Sequence, residues 1–292
     1  MVSDMDISIE LVNKDATRQA LTVEQWQFAG GEQHVRLAVF DGQQVESAII
    51  CARLQSSDAI MQLLLIKDAL DRAAPGIQVS LQLPYFPYAR QDRVCVAGEA
   101  FSAAVMAGLL RNAGFSQIRC WDLHSAVSEQ LLEAEQVHQA QLVCQFAQLK
   151  QWLQTHQAAL LAPDKGASHK IAKVADALSA AGIEAEVFQA SKRRDPATGA
   201  ILASELNADV AGRSLLILDD ICDGGRTFIE LARLLKQKGA ARVGLYVTHG
   251  LFSRGIEPLE GLIDAVFTTD SVCPLHPFES QIVELHTLKL FE

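Results

Sequence analysis

The sequence predicts an α/β protein of mainly parallel sheets flanked by helices, organised as two similar halves. Short apolar runs of strand length alternate with longer segments of helical period along the chain. Several of those runs are continuously apolar, as in strands covered on both faces. The length of 292 residues, at roughly 150 per domain, accommodates two such units.

In the first half, residues 35–40, 48–54, 79–83 and 118–121 are strand candidates. Between them, 58–73 and 102–113 carry apolar residues at helical spacing, and Gly114 stops the second helix. A polar helical stretch rich in Gln and Lys, 145–157, marks the joint and divides the chain into 1–147 and 148–292. In the second half, 159–162, 185–188, 215–218 and 243–247 read as buried strands separated by helices at 168–181 and 227–238. Residues 85–98 and 191–199 are polar, rich in Arg and Asp and poor in regular period, which predicts two mobile loops.

Composition narrows the function classes. Apolar residues make up 49% and charged residues 21%, the balance of a folding globular chain. Lys and Arg number 25 against 35 Asp and Glu, and the net charge of −10 repels polyanions, so nucleic acid is not an expected partner. The six cysteines show no CxxC spacing and mostly sit within apolar runs, the pattern of packed, reduced thiols. The first residues are acidic and lack the basic and apolar regions of an export signal, and no apolar run reaches the roughly 18 residues of a membrane span. A cytoplasmic location without membrane partners is expected.

The most informative segment runs from Leu215 through Asp219-Asp220-Ile221-Cys222-Asp223-Gly224-Gly225-Arg226-Thr227. In an open α/β sheet ligands bind at the carboxyl ends of strands, where this segment places its acids. Gly224 and Gly225 permit a tight turn with N–H groups directed inward, and Thr227 with the following helix N-terminus completes a phosphate cradle. Adjacent carboxylates before such a cradle suit the vicinal hydroxyls of a ribose, or a magnesium ion between ribose and pyrophosphate. An acidic turn with an N-capping Asp is the plainer alternative.

This arrangement resembles the ribose-phosphate loop of the type I phosphoribosyltransferase fold, and further segments narrow the resemblance to the ribose-phosphate pyrophosphokinases. Pro84-Tyr85-Phe86-Pro87-Tyr88-Ala89-Arg90-Gln91-Asp92-Arg93 is similar to that family's nucleotide loop, and Trp121-Asp122-Leu123-His124-Ser125 to its metal-and-histidine segment. Ala162-Pro163-Asp164-Lys165-Gly166 resembles its second metal segment, Ser191-Lys192-Arg193-Arg194 its flexible catalytic loop, and Thr248-His249-Gly250 a strand end. With Phe28-Ala29-Gly30-Gly31-Glu32, the likeness covers about residues 28 to 271 in order.

The resemblance implies two tandem phosphoribosyltransferase-like domains and transfer of the β,γ-diphosphoryl group of ATP to the anomeric hydroxyl of ribose 5-phosphate. Such a transfer is governed by positioning and by neutralising phosphoryl charge. Lys192 and Arg194 are the expected mobile cations, and His124 joins them as a catalytic candidate. His124 and Asp164 are expected to hold Mg2+, an ion that needs few protein ligands. Phe28, Gly30, Glu32, Arg90, Gln91 and Asp92 are assigned to ATP, with Phe28 stacking on the base; Tyr85 and Arg93 are weaker candidates. Asp219, Asp220, Asp223, Gly224, Gly225, Arg226 and Thr227 are assigned to the ribose phosphate. In the family the Phe28 segment reaches a neighbouring subunit, which implies a homo-oligomer, a dimer or hexamer.

The chain departs from the family at the loop usually reading Asp-Thr-Gly-Gly-Thr: Gly224 replaces a hydroxyl donor and Arg226 brings a guanidinium. Lys165, Ala167, Gly30 and residues 93–102 differ as well. These changes leave ADP-ribose as an alternative acceptor in NAD salvage, because an added cation suits a 5-diphosphate. A catalytically silent regulatory subunit is a reading of another class, disfavoured by the retained Lys192 and Arg194. A transferase consuming the pyrophosphorylated sugar is disfavoured by the two tandem halves.

Overall fold

The computed structural model describes residues 6–194, 201–273 and 283–291, and at 192–194 and 201–204 the backbone alone. The chain forms two compact units, one mainly of residues up to Val137 and the other mainly of residues from His138 onward. This division precedes the expected joint at 147, because the polar helical stretch belongs to the second unit. Val143, Phe146, Leu149 and Trp152 are buried in one of that unit's cores.

The first unit contains β1 (Ile7–Asn13), β2 (Arg18–Leu21), β3 (Val23–Gln27), β4 (Gln33–Leu37), β5 (Val45–Ala52), α1 (Ser57–Ala73), β6 (Gln78–Leu83), α2 (Ser102–Asn112), β7 (Gln117–Trp121), α3 (Ala126–Leu132) and β8 (Glu135–Val137). Its sheet runs β2-β1-β5-β6-β7-β8. β5 to β8 pair in parallel and β1 runs antiparallel to both its neighbours. Helix α1 forms where the sequence turns to helical period: Ile60, Leu63, Ile66 and Leu70 are buried, and the Ser56 side chain caps the first turn by accepting from Ala59 N at 3.1 Å.

The predicted strand at 35–40 is corrected by the structure. Strand occupies Gln33–Leu37 instead, in an antiparallel hairpin with β3 outside the main sheet. Val35 is its one buried side chain, whereas Val39 lies fully exposed beyond the strand. An apolar count over 35–40 therefore overstated its burial.

The second unit contains α4 (Gln139–Gln145), α5 (Ala147–His156), β9 (Ala159–Ala162), α6 (Ser168–Ala180), β10 (Val187–Gln189), β11 (Ser191–Arg194), β12 (Ile201–Glu205), β13 (Ser214–Cys222), α7 (Arg226–Gln237), β14 (Arg242–Gly250), β15 (Ala265–Thr269) and β16 (Glu284–Leu288). The sheet is parallel throughout, in the order β10-β9-β13-β14-β15-β16. Central β13 is covered on both faces: Leu215 and Ile217 join the core that contains α7's Phe228 and Leu231, while Leu216 and Leu218 join the core under α5 and α6. The strand does not end at Leu218. Its ladder with β14 continues through Asp219 opposite Val247 to Cys222 opposite Gly250.

Ser191–Arg194, expected within a mobile loop, pairs as β11 with β12 in a two-stranded antiparallel ribbon; 195–199 of that expected loop lie outside the described residues. Among the described residues no helix is long and apolar enough to cross a membrane. Cys51, Cys120 and Cys222 are buried, Cys144 and Cys273 half-buried, and Cys95 exposed, so Cys95 departs from the expected packing.

Candidate active site

In the second unit the site grows from the carboxyl end of β13, at the centre of a parallel sheet. Asp219 and Asp220 are consecutive, and Asp220 N donates to Asp219 Oδ1 at 2.9 Å. Burial, and then the neighbouring charge of Asp220, push the Asp219 carboxyl well above the usual carboxylate range. Asp220 has a cation beside it: Lys170 Nζ of α6 lies 3.5 Å from Asp220 Oδ2. Gln139 Nε2 of α4 donates to the Asp219 carbonyl at 2.9 Å and braces the strand end. The pair is thus an acidic site with Asp219 raised in pKa and Lys170 beside Asp220, suited to hydroxyl groups or a hydrated cation.

Beyond Cys222 the chain turns through Asp223–Gly225 into α7. Gly225 takes φ +74°, the left-handed region that a side chain disfavours, and serves as the cap of α7. Among the described residues, no backbone carbonyl accepts from the N–H groups of Gly224, Gly225, Arg226 or Thr227, the ordinary condition of a helix start and a ready anion cradle. Arg226 is exposed and directs Nε to Glu230 Oε1 at 2.8 Å, along the helix surface. A different arginine meets the loop. A Cβ built on Gly224 would lie 3.6 Å from Cδ and Nε of Arg254. Asp223 accepts from the Ser253 hydroxyl at 2.6 Å.

At the end of β9, Asp164 Oδ1 accepts from the N–H groups of Gly166 at 2.9 Å and Ala167 at 3.2 Å, folding the turn that launches α6. Its charge also contributes to the raised Asp219 pKa. Lys192 and Arg194 stand on β11 two residues apart.

In the first unit, β7 ends at Trp121 and Asp122 takes φ +42°, turning the chain so that Leu123, His124 and Ser125 enter α3, with the Ser125 side chain as its cap. Asp92 comes close to this segment. Burial opposes its ionisation, but Arg93, the Ser125 hydroxyl and the charge of His124 outweigh that and hold the carboxyl below the usual range. Arg93 Nε sits 3.0 Å from Asp92 Oδ1, whereas the buried Oδ2 has no hydrogen-bond partner among the described residues. Phe86 and Ala89 are buried and anchor a loop that the sequence predicts to be mobile, with Gln91 O accepting from Ala103 N at the start of α2. Arg90 and Tyr85 lie in the same loop.

Phe28, Gly30 and Glu32 sit at the tip of the β3–β4 hairpin. Gly31 takes φ +93°, and Phe28 N donates to Glu32 O at 2.8 Å, closing the turn. Phe28 is 49% exposed, which excludes ordinary core packing; its ring centroid lies 5.5 Å from that of His34 and 6.1 Å from that of Trp26. A Cβ on Gly30 would meet nothing within 4 Å.

Magnesium takes hard oxygen ligands and keeps most of its waters. An ionised carboxylate with an orphaned, buried oxygen has that donor chemistry, so Asp92 fits the ion, and His124 beside it could add only a nitrogen donor. Asp164 is a carboxylate as well, its Oδ1 accepting from the N–H groups of its own turn. Sequence reasoning missed Gln139, Lys170 and Arg254. None of the three had a readable signal, because each reaches the site from another element rather than along the motif.

The class that the second unit defines, a parallel sheet with an acidic strand end opening into a glycine turn, is that of the phosphoribosyltransferases. Residues 133–271 match the family model of the phosphoribosyl transferase domain, and residues 8–114 match that of the N-terminal domain of ribose phosphate pyrophosphokinase. The chain is 32% identical over 264 residues to the ribose-phosphate pyrophosphokinase of Thermococcus kodakarensis, covering 89% of each chain. It is 31% identical over 222 residues to that of Maricaulis maris, covering 74% of this chain and 68% of the relative. Among solved structures, phosphoribosylpyrophosphate synthetase from Mycobacterium smegmatis shares the fold with a TM-score of 0.77 at 23% identity, over 92% of this chain and 87% of that one. The chain belongs to the ribose-phosphate pyrophosphokinase family and is an enzyme of that diphosphotransferase kind.

Proposed function

We propose that the protein transfers diphosphate from ATP to the anomeric hydroxyl of ribose 5-phosphate, with Mg2+, giving phosphoribosyl pyrophosphate and AMP. The observation that carries this is the acidic pair of Asp219 and Asp220 leading directly into the N–H cradle at Gly224–Thr227. Carboxylates accept from the ribose hydroxyls, and the cradle takes the 5-phosphate, so acceptor polarity is set by one continuous stretch of chain. Asp223 shapes that stretch through Ser253.

In the step itself, the anomeric oxygen forms a bond to the β-phosphorus, the bridging bond between α- and β-phosphoryl groups breaks, AMP leaves, and the hydroxyl proton passes to solvent. Lys192 and Arg194 neutralise the charge developing on the phosphoryl oxygens. Arg90 binds polyphosphate, Gln91 offers its amide to the base, and half-exposed Phe28 stacks on adenine with Gly30 and Glu32 shaping the hairpin tip. His124 and Asp164 are each proposed as magnesium ligands, and Asp92 supplies a further anionic oxygen near His124. When bound, magnesium neutralises phosphate charge. An assembly of identical chains, a dimer or hexamer, is proposed from the exposed Phe28 hairpin.

A second acceptor, ADP-ribose, is favoured by one observation: the Arg254 side chain lies against Gly224 at the flank of the cradle. Chromatographic measurement of AMP from ATP and magnesium, with ribose 5-phosphate and ADP-ribose in parallel, tests both. AMP with ribose 5-phosphate supports the leading reading, and AMP with ADP-ribose alone reassigns the acceptor. AMP with neither refutes the reaction and favours a silent subunit.

A further inference from the structure

One cation at the ribose-phosphate loop has no task in the reaction as proposed. After β14 the chain runs back along the loop, and hydrogen bonds hold it there: Leu251 N and Phe252 N donate to Cys222 O at 2.8 and 3.0 Å, and Ser253 N to Asp223 O at 3.2 Å. The Ser253 hydroxyl adds its 2.6 Å bond to Asp223 Oδ1. Phe252, at φ +43°, is 2% exposed and pins the turn from below, while Gly255, at φ +73°, closes it. Arg254 is the residue this clamped turn presents to the cradle. Its Cδ and Nε come within 3.6 Å of where a Cβ at position 224 would be, ordinary contact distance, so the arginine stem lies directly alongside the glycine.

Arg254 forms no ion pair among the described residues, whereas Arg226 spends its charge on Glu230. An exposed guanidinium on a braced turn, beside N–H groups that have no backbone acceptor among the described residues, matches a doubly charged phosphoryl group in charge and hydrogen-bonding chemistry. We infer that Arg254 is a specificity-determining residue that pairs with the phosphoryl group at the 5-end of the acceptor. This rests on the reading of the acceptor as a 5-phosphorylated ribose. The main-chain cradle supplies dipoles, and Arg254 supplies the full positive charge that the cradle lacks.

The test is steady-state AMP release by the full chain, with whichever acceptor the wild type converts, compared for Arg254→Ala, Arg254→Lys and Arg233→Ala. Arg254→Ala is expected to raise the acceptor KM about tenfold or more, the effect of losing one charge-assisted bond to phosphate. Its kcat and ATP KM are expected to stay within about twofold, the signature of lost ground-state binding. Arg254→Lys restores part of the acceptor KM, because the charge returns without the fork. Arg233→Ala, which removes equal charge from the exposed side of α7, leaves the acceptor KM in place. An unmoved acceptor KM in an Arg254→Ala enzyme that still releases AMP overturns the inference and leaves the reaction standing. No AMP from the wild type with either acceptor overturns the reaction and the inference together.

Discussion

Removal of Lys170 probes how the acidic end of β13 is held. Lys170 Nζ lies 3.5 Å from Asp220 Oδ2, with the lysine side chain 31% and the aspartate side chain 8% exposed. At an effective dielectric of about 20, unit charges at that separation attract by about 4–5 kcal/mol. Most of this is offset by the hydration both groups give up, and solvent around the lysine screens part of the rest. A double-mutant cycle of Lys170→Met, Asp220→Asn and the combined variant should therefore return a coupling of about 1–2 kcal/mol. Lys170→Met alone should destabilise by about 1–3 kcal/mol, because Asp220 then sits buried beside Asp219 without that cation. The double variant should recover much of the loss. Urea unfolding of the four proteins provides the free energies, with m-values checked for constancy. Asp220→Asn should also raise the acceptor KM while sparing that for ATP. A coupling under about 0.3 kcal/mol would refute the argument that the lysine holds the pair.

Asp219→Asn addresses the same pair through pH. Because burial and then the Asp220 charge raise its pKa above 3.8, the folded protein holds this proton more tightly than the unfolded chain does. Its stabilising contribution is complete below the ordinary carboxylate pKa and is lost as pH rises through the folded value. The asparagine variant does not titrate, so it should gain about 1 kcal/mol or more on the parent as pH rises; a melting-temperature difference that stays constant from acid to neutral pH would contradict this. Lys192→Ala should cut kcat by about 100-fold or more, with little change in melting temperature, since it removes charge that matters in the transition state. Wild-type turnover in that variant would take the residue out of the mechanism. Phe28→Ala should raise the ATP KM several-fold, on the scale of about 1–2 kcal/mol for one lost base stack, and an unchanged ATP KM would end the stacking assignment.

What the sequence reveals of the fold depends on how each element is stabilised. β9 coincides with its predicted span, and α1, α2, α6 and α7 lie within one residue or so of theirs, because apolar period and buried continuity are written directly into those segments. β1 alternates buried Ile7, Ile9 and Leu11 with partly exposed neighbours, a period-two signal overlooked beside the acidic start of the chain. β3 and β4 each bury a single valine, Val23 and Val35, and otherwise pair with each other, so an apolar count has little to read. β15 is buried throughout, but it reads Ala-Val-Phe-Thr-Thr, so only its first three residues make an apolar run. The acids at 219 and 220 looked like the start of a loop, yet a parallel ladder uses backbone groups and continues past them while β14 runs alongside.

The same distinction governs the site. Strand end, glycine turn and helix start are contiguous, so their N–H groups and carboxylates are legible from residue spacing alone. The groups that brace and neutralise them arrive from other elements: Gln139 reaches Asp219 across 80 positions of sequence and Lys170 reaches Asp220 across 50. Their arrival is decided by how α4 and α6 pack, which spacing does not encode. Arg226 shows what nearness in sequence leaves out. Being next to the glycines made it the obvious phosphate cation, but once α7 begins at Arg226, helical geometry puts Glu230 one turn above it on the same face. The pair lies on the exposed surface, where ion pairs are weak, so Arg226 keeps its candidacy as a phosphate cation at the helix start. A second cation reaches the cradle from the neighbouring turn after β14, where the ladder with β13 delivers Arg254 beside Gly224.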